Sequence, residues 1–359
     1  MRFRADIQGL RALAVLLVIG HHFFPDSVTG GFFGVDVFFV ISGYIITSTL
    51  MESSSKSSKK FLLDFYARRV RRILPSALVV ILLSVIATCV LLGSITGSDT
   101  ARDGVFASLF IANIHFNSSA IDYFAAGLPQ PILQHYWSLA IEEQFYLLWP
   151  LIFFFSRKST IRVIAVITLS LTSFVYAIVE ISSASPTAYL STLTRVWELG
   201  IGTAVALLNF RVSNRLISYT SVISLIVLSL MYTPNTDFPG FPALVVALLT
   251  CSVIISADSN KVLASKVMTW IGDCSYTLYL VHWPIFQIAF LYRGTSLALS
   301  EKILLLLLLT VVSTVLFRYL ENPIRRSETL KRNPYQTIAI GIGAILATIL
   351  ILGSLRSLV

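Results

Sequence analysis

Long apolar stretches recur along the whole sequence, and they constrain the fold more than any single motif does. A helix needs about 20 apolar residues, within a range of roughly 17–25, to cross the hydrocarbon core of a bilayer. Segments near that length fall at 8–24, 33–51, 73–92, 137–156, 163–182, 190–209, 216–232, 242–257, 271–292, 302–320 and 336–355. The chain is 56% apolar, whereas soluble domains run at about 45–50%, and one soluble core cannot absorb that excess. The expected fold is all-α, a polytopic membrane helical bundle. The N-terminal arginines and the apolar run after them imitate a signal peptide. There is no small-residue cleavage site, however, and the run carries charge, so it reads as a retained first helix.

The net charge of +9 suggests nucleic acid only in a soluble protein. Here the excess of basic residues orients the chain. With the N-terminus inside, cytoplasmic loops collect twenty of the 27 Lys and Arg. Outer loops then hold only Arg102, Arg293, Lys302 and Arg356. Residues 105–118, "VFASLFIANIHFNS", are apolar but short, with Asn113 and His115 inside. Counting them as a span would invert every later loop. We therefore expect 93–136 on the outer side, eleven spans, and an outer C-terminus. "SSSKSSKK" (53–60) reads as a polar cytoplasmic linker. Cys89, Cys251 and Cys274 show no metal spacing and read as free thiols.

"GLRALAVLLVIGHHFFP" (9–25) places Arg11 and His22 eleven residues apart in the first span. Eleven steps of about 100° put them on one helix face, roughly 16 Å apart along the axis. Two readings stand. Arg11 snorkels to the inner headgroups and His22 to the outer interface, or both face a lined site inside the bundle. His21 points about 100° away and reads as structural.

Other polar residues fall in spans. Asp36, in "GGFFGVDVFFVISG" (30–43), lies near the same outer end as His22. There it is either an interfacial acid or a carboxylate that orients the imidazole. "FYARRVRRILP" (65–75) sets Arg69 and Arg72 on one face, as positive-inside signals or as a phosphate clamp. "HYWSLAIEEQFYLLWP" (135–150) carries Trp137, Glu142 and Glu143 into a span, where at least one of the two carboxylates should have a partner or a proton. Arg195 and Glu198, three apart in "RVWELGIG", suit an intrahelical pair. "SYTLYLVHWPI" (275–285) holds Tyr276 and His282, the latter structural or functional. "RYLENPIRR" (318–326) reads as a cytoplasmic anchor.

Taken in order, these motifs resemble the acyltransferase-3 family of bacterial membrane acyltransferases, particularly members that O-acetylate lipopolysaccharide O-antigen. The match runs from "FRADIQGLRALAV" to "ENPIRR", about residues 3–326. The family's R-x10-H element falls on Arg11 and His22, and its R-x-x-R element on Arg69 and Arg72. The resemblance implies a ten-span core over 1–332 and an additional transmembrane helix in 333–359. Related enzymes use an eleventh span to reach a periplasmic SGNH hydrolase-like domain. The chain ends soon after that span, so the expectation is a fragment lacking such a domain.

The resemblance further implies acetyl-CoA as cytoplasmic acyl donor and a periplasmic glycan hydroxyl as acceptor. It implies an inner-membrane location among lipids, with no metal and no nucleic-acid partner. Arg11, Arg69 and Arg72 would then hold the donor, and His22 would act as general base or acyl-carrying nucleophile, with Asp36 beside it. Trp137, Glu142, Glu143, Arg195, Glu198, Tyr276 and His282 are the expected pocket residues. Two rival classes share the intramembrane His, Glu and Arg: a proton-coupled transporter and a non-catalytic scaffold for glycan assembly. CoA binding discriminates against the first, and loss of function on replacing His22 against the second.

Overall fold

Each of the eleven apolar segments coincides with a helix. The computed structural model describes residues 4–53, 58–119, 130–156, 158–183, 188–212, 214–256 and 260–358. The centre of the 53–60 linker, the end of the 93–136 outer segment (120–129) and the basic residues Arg2, Lys56 and Arg157 lie outside them. In chain order the helices α1 to α8 are Ala5–Phe23, Gly34–Ser53, Ser58–Leu92, Ser94–Ser108, Ala112–Ser118, Tyr136–Phe155, Ser159–Ser182 and Thr192–Leu208. Helices α9 to α15 are Arg215–Met231, Phe241–Ile255, Lys266–Arg293, Leu299–Leu316, Asn322–Arg326, Glu328–Arg332 and Pro334–Leu358. A short π-helical stretch, Phe317–Glu321, joins α12 to α13. No strand occurs among the described residues.

Among the described residues, six helical stretches are long and apolar enough to cross a membrane by length and composition alone. They are Gly31–Glu52, Lys60–Leu92, Tyr136–Phe155, Ser159–Ser182, Leu299–Arg332 and Pro334–Arg356. This is an all-helical membrane protein. Of the other expected spans, α9 and α10 are apolar but shorter. Helices α1 and α8 carry the charges of Asp6 and Arg11 and of Arg195 and Glu198.

The short apolar segment 105–118 is not one helix. Phe110 adopts φ +55°, a left-handed conformation that ends a helix. It leaves α4 with 15 residues and α5 with 7. At 1.5 Å per residue these are about 22 Å and 10 Å long, short of the roughly 30 Å hydrocarbon core. They are held together by His115 Nε2 and Asp103 Oδ1, 2.9 Å apart, with the imidazole stacked on Phe106 at 4.0 Å. Burial pushes the Asp103 carboxyl above its usual range, and the His115 hydrogen bond pulls it partly back.

The chain divides into two compact, interleaved units. The first comprises 1–55, 117–125 and 141–275; the second comprises 56–116, 126–140 and 276–359. Within the first, α2 and α8 cross where side chains are absent. A Cβ at Gly43 would collide with the Leu199 carbonyl, and one at Gly202 with the Val40 carbonyl. Such close backbone approach is the usual role of small residues between membrane helices. Asp36 meets Arg195 before the crossing, and Thr47 meets Thr203 after it, so the two helices run parallel. Within the second unit, α3 and α15 also run parallel. Val70 and Leu74 pack on Gly341, while Ile81 and Leu352, further along each helix, both pack on Gly104 of α4. Cys89, Cys251 and Cys274 form no disulfide among the described residues.

Candidate functional site

Helix α1 presents Arg11 and His22 as its register requires. Its start is fixed by Arg4, whose Nε donates to Asp6 Oδ1 at 2.8 Å and whose Nη2 donates to the Ile254 carbonyl at 2.9 Å. Arg11 is buried at 8% exposure and donates to Gln8 Oε1 at 3.2 Å. A guanidinium this enclosed is turned into protein rather than into the headgroups. His22 is half-buried at the opposite end of the same face. His21 is pinned structurally. Its Nδ1 is 3.1 Å from the Val28 carbonyl, and its ring stands edge-on to Phe32 at 5.4 Å.

The expected pair of Arg195 and Glu198 exists, and it has a third member. Arg195 Nη1 lies 3.0 Å from Glu198 Oε1 and 3.2 Å from Asp36 Oδ1. All three side chains are fully buried. The guanidinium also faces the rings of Tyr189 at 4.8 Å and Phe39 at 5.4 Å. Asp36, which the sequence reading set beside His22, is therefore hydrogen-bonded to Arg195. Among the described residues, Arg195 is the cation that faces both carboxylates. Two carboxylates against one guanidinium leave a formal negative charge unless a proton or second cation joins them.

Glu142 also has the partners that its place in a span demands. Ser42 Oγ donates to its Oε1 at 3.0 Å and Tyr146 OH to its Oε2 at 3.1 Å. One turn further along α6 from Tyr146, Trp149 Nε1 donates to Thr47 Oγ1 at 2.9 Å. Glu143 is half-buried beside Glu142, and Trp137, in the first turn of α6, is fully buried.

In the second unit, buried rings serve the backbone. Pro284 lacks the N–H that a regular helix would direct at the Leu280 carbonyl. His135 Nε2 donates to that oxygen instead, at 2.9 Å. His282, fully buried, bonds through Nδ1 to the Tyr279 carbonyl, and its ring centroid is 5.7 Å from that of His135. Tyr276 OH donates to the Ile73 carbonyl at 2.9 Å and Tyr136 OH to the Ala77 carbonyl at 2.8 Å, on either side of Pro75 in α3. The sequence reading passed over His135. The signal for it was a proline with an acceptor four residues earlier.

Arg69 and Arg72 are half-buried near the start of α3, Arg69 with its guanidinium 5.5 Å from the Phe65 ring. Arg68 and Arg71, left unassigned above, are the more telling pair. Arg71 Nη1 donates to the Leu330 carbonyl at 3.1 Å. Its Nε and the Arg68 Nη2 are buried with no hydrogen-bond partner among the described residues. Buried donors that lack acceptors suit a polyanionic ligand.

The described geometry is thus an Arg–His face on α1, a buried acid–base cluster between α2 and α8, and an arginine row on α3. Comparison with known proteins gives it a context. The acyltransferase-3 family pattern, described as an acyltransferase domain, matches residues 4–320. The chain belongs to the acyltransferase-3 family. It is 31% identical over 350 residues to the O-acetyltransferase OatA of Staphylococcus aureus (strain NCTC 8325 / PS 47), covering 90% of this chain and 58% of that protein. It is 32% identical over 352 residues to the peptidoglycan O-acetyltransferase OatA of Listeria monocytogenes, covering 91% and 56%. The chain therefore spans somewhat more than half the length of these curated relatives. No solved structure matches it.

Proposed function

We propose that this chain is a membrane O-acetyltransferase. It moves an acetyl group from acetyl-CoA on the cytoplasmic face to a hydroxyl of a cell-envelope glycan on the outer face. The observation that carries the reading is the buried Arg11 in line with His22 on α1, within a chain of this family. The arginine row on α3 supports a donor site for the CoA phosphates, because it offers buried, unsatisfied guanidinium nitrogens. The proposed sidedness rests on the basic loops, and the two parallel helix pairs support the span order. Spans α2 and α8, like α3 and α15, run the same way only if the 105–118 segment does not cross.

In the chemistry we favour, the His22 imidazole takes the proton of the glycan hydroxyl as its oxygen attacks the thioester carbonyl. The C–S bond breaks, the CoA thiolate leaves, and a proton returns to it. A two-step route has an imidazole nitrogen accept the acetyl group first. The single step needs only a well-placed hydroxyl, and such general bases contribute typically 10²- to 10⁴-fold. Asp36, engaged with Arg195, positions α2 and α8 rather than titrating against His22.

The acceptor class is a polysaccharide hydroxyl. The resemblance points to lipopolysaccharide O-antigen, and the Listeria relative is named for peptidoglycan. Mass spectrometry of envelope glycans, with and without the protein, separates these. The reaction itself is tested at position 22. At matched membrane expression, His22→Ala lowers glycan acetylation at least about 10²-fold while CoA binding persists. His21→Ala retains most activity, and Arg11→Lys restores it only in part, having lost the planar fork. Wild-type acetylation by His22→Ala would leave the mechanism without a base. The donor site has its own measurement. Arg69→Gln with Arg72→Gln should weaken acetyl-CoA binding by about 1.5–3 kcal/mol per lost charged hydrogen bond. An unchanged titration reduces both to topological signals.

A further inference from the structure

One feature of the second unit is unused by this mechanism: a cavity of about 530 Å³ bounded by α3, α11 and α12. Its walls are Val80 to Leu91 on α3, Val281 to Tyr292 on α11 and Leu305 to Leu316 on α12. The lining is apolar except for the hydroxyls of Ser84 and Tyr292. Leu83, Leu91 and Leu308 are each about half exposed, so the cavity is a groove opening sideways from the helices. Pro284 sits in its wall, where the helix cannot close its regular bonding.

We propose that this groove holds one hydrocarbon chain of an anionic phospholipid, with the phosphate at the Tyr292 end. Three observations lead there. The volume lies within the roughly 300–1,000 Å³ range of small-molecule sites, which suits one chain rather than a protein segment. On all three helices the lining spans eleven residue steps, about 16 Å of helix. That is half of the roughly 30 Å hydrocarbon core, the depth of one leaflet. The third is charge at the mouth. Arg293 follows Tyr292 at the end of α11, and Lys302 lies one turn before Leu305 at the start of α12. The Arg293 Nε is 3.2 Å from Glu301 Oε1, in an exposed pair that ties the two helix ends together.

Two of the four basic residues expected on the outer side therefore lie beside this one groove. They stand against a single carboxylate, a net positive mouth suited to a lipid phosphate. The site is at the end of α3 opposite its arginine row, so the lipid belongs to the leaflet away from the proposed donor site. That placement rests on the sidedness proposed above. The groove's contents do not.

The test uses the full chain in vesicles of phosphatidylcholine with a minor share of phosphatidylglycerol. The phosphatidylglycerol carries a photoreactive group on one acyl chain. Labelling should concentrate on peptides covering 80–91, 281–292 and 305–316. Ala87→Phe with Ala289→Phe, which fills the groove, should cut that labelling at least about five-fold without lowering the unfolding temperature. Should the filled variant misfold, Arg293→Gln with Lys302→Gln serves instead. It should abolish the preference for phosphatidylglycerol over a phosphatidylcholine probe while leaving acyl labelling possible. Labelling spread evenly over these peptides and the exposed faces of α7, α9 and α15 overturns the proposal. So does equal labelling by both probes in the wild type, or displacement by a polyisoprenyl phosphate at concentrations where phospholipid fails to compete. None of these readouts depends on acetylation, so they stand apart from the test at His22.

Discussion

The two units bury polar groups for different reasons. In the first, Asp36, Arg195 and Glu198 satisfy one another across parallel helices. In the second, His135, Tyr276 and Tyr136 donate to backbone carbonyls around the prolines of α11 and α3. Both kinds of residue look alike in a sequence, where an ionisable group inside a span is read as functional by default. Partners separate them. A side chain bonded to a carbonyl freed by proline repairs the helix, and its chemistry is committed. A carboxylate that shares one guanidinium with a second carboxylate, like that of Asp36, belongs instead to a charge cluster between helices.

The difference can be broken most forcefully at Arg195. Arg195→Ala strands two buried carboxylates, and removing one partner of a buried ion pair costs about 3–5 kcal/mol. Thermal unfolding of the purified protein should show the loss. Arg195→Met combined with Asp36→Asn and Glu198→Gln should recover most of it, because no buried charge then remains. An Arg195→Ala protein as stable as wild type would mean that the cluster is hydrated or otherwise compensated, and the contrast between units would fall.

Much of this was legible beforehand, for identifiable reasons. The long apolar helices follow from apolar length, and the pair of Arg195 and Glu198 from a spacing of three on a helix. The shortness of 105–118 argues only against a full span, and nothing in "SLFIAN" announces the break at a left-handed Phe110. The partner of Asp36 could not be read. It lies 159 residues away, brought there by a crossing of Gly43 and Gly202 that sequence alone does not register. Nor did the sequence distinguish Arg68 and Arg71, whose burial depends on the packing around α3, from Arg69 and Arg72.

A medium effect is expected at His135. His135→Phe keeps the ring volume but removes the donor to Leu280, leaving a buried carbonyl unsatisfied at about 1–3 kcal/mol. Pro284→Ala restores the N–H that a regular helix supplies, so the double variant should lose less than the two single changes added together. That coupling, measured by unfolding in a double-mutant cycle, sharpens the claim that the histidine repairs the helix. Strict additivity would assign His135 another role, with its ring 5.7 Å from His282 as the place to look.

The smallest effect should come from Tyr276, and the reason is the same accounting applied to a different carbonyl. Tyr276 OH bonds the Ile73 oxygen at 2.9 Å, but Ala77 keeps the N–H that α3 directs at that oxygen. The hydroxyl therefore fills a second lone pair rather than an orphaned acceptor, and Tyr276→Phe should cost only about 0.5–1.5 kcal/mol. Stability and acetylation then answer separate questions. If glycan acetylation falls with a stability change this small, the hydroxyl does more than fill a lone pair, and Tyr276 acts in the reaction. If acetylation is unchanged, Tyr276 joins His135 as a residue whose polarity serves the helix it leans on.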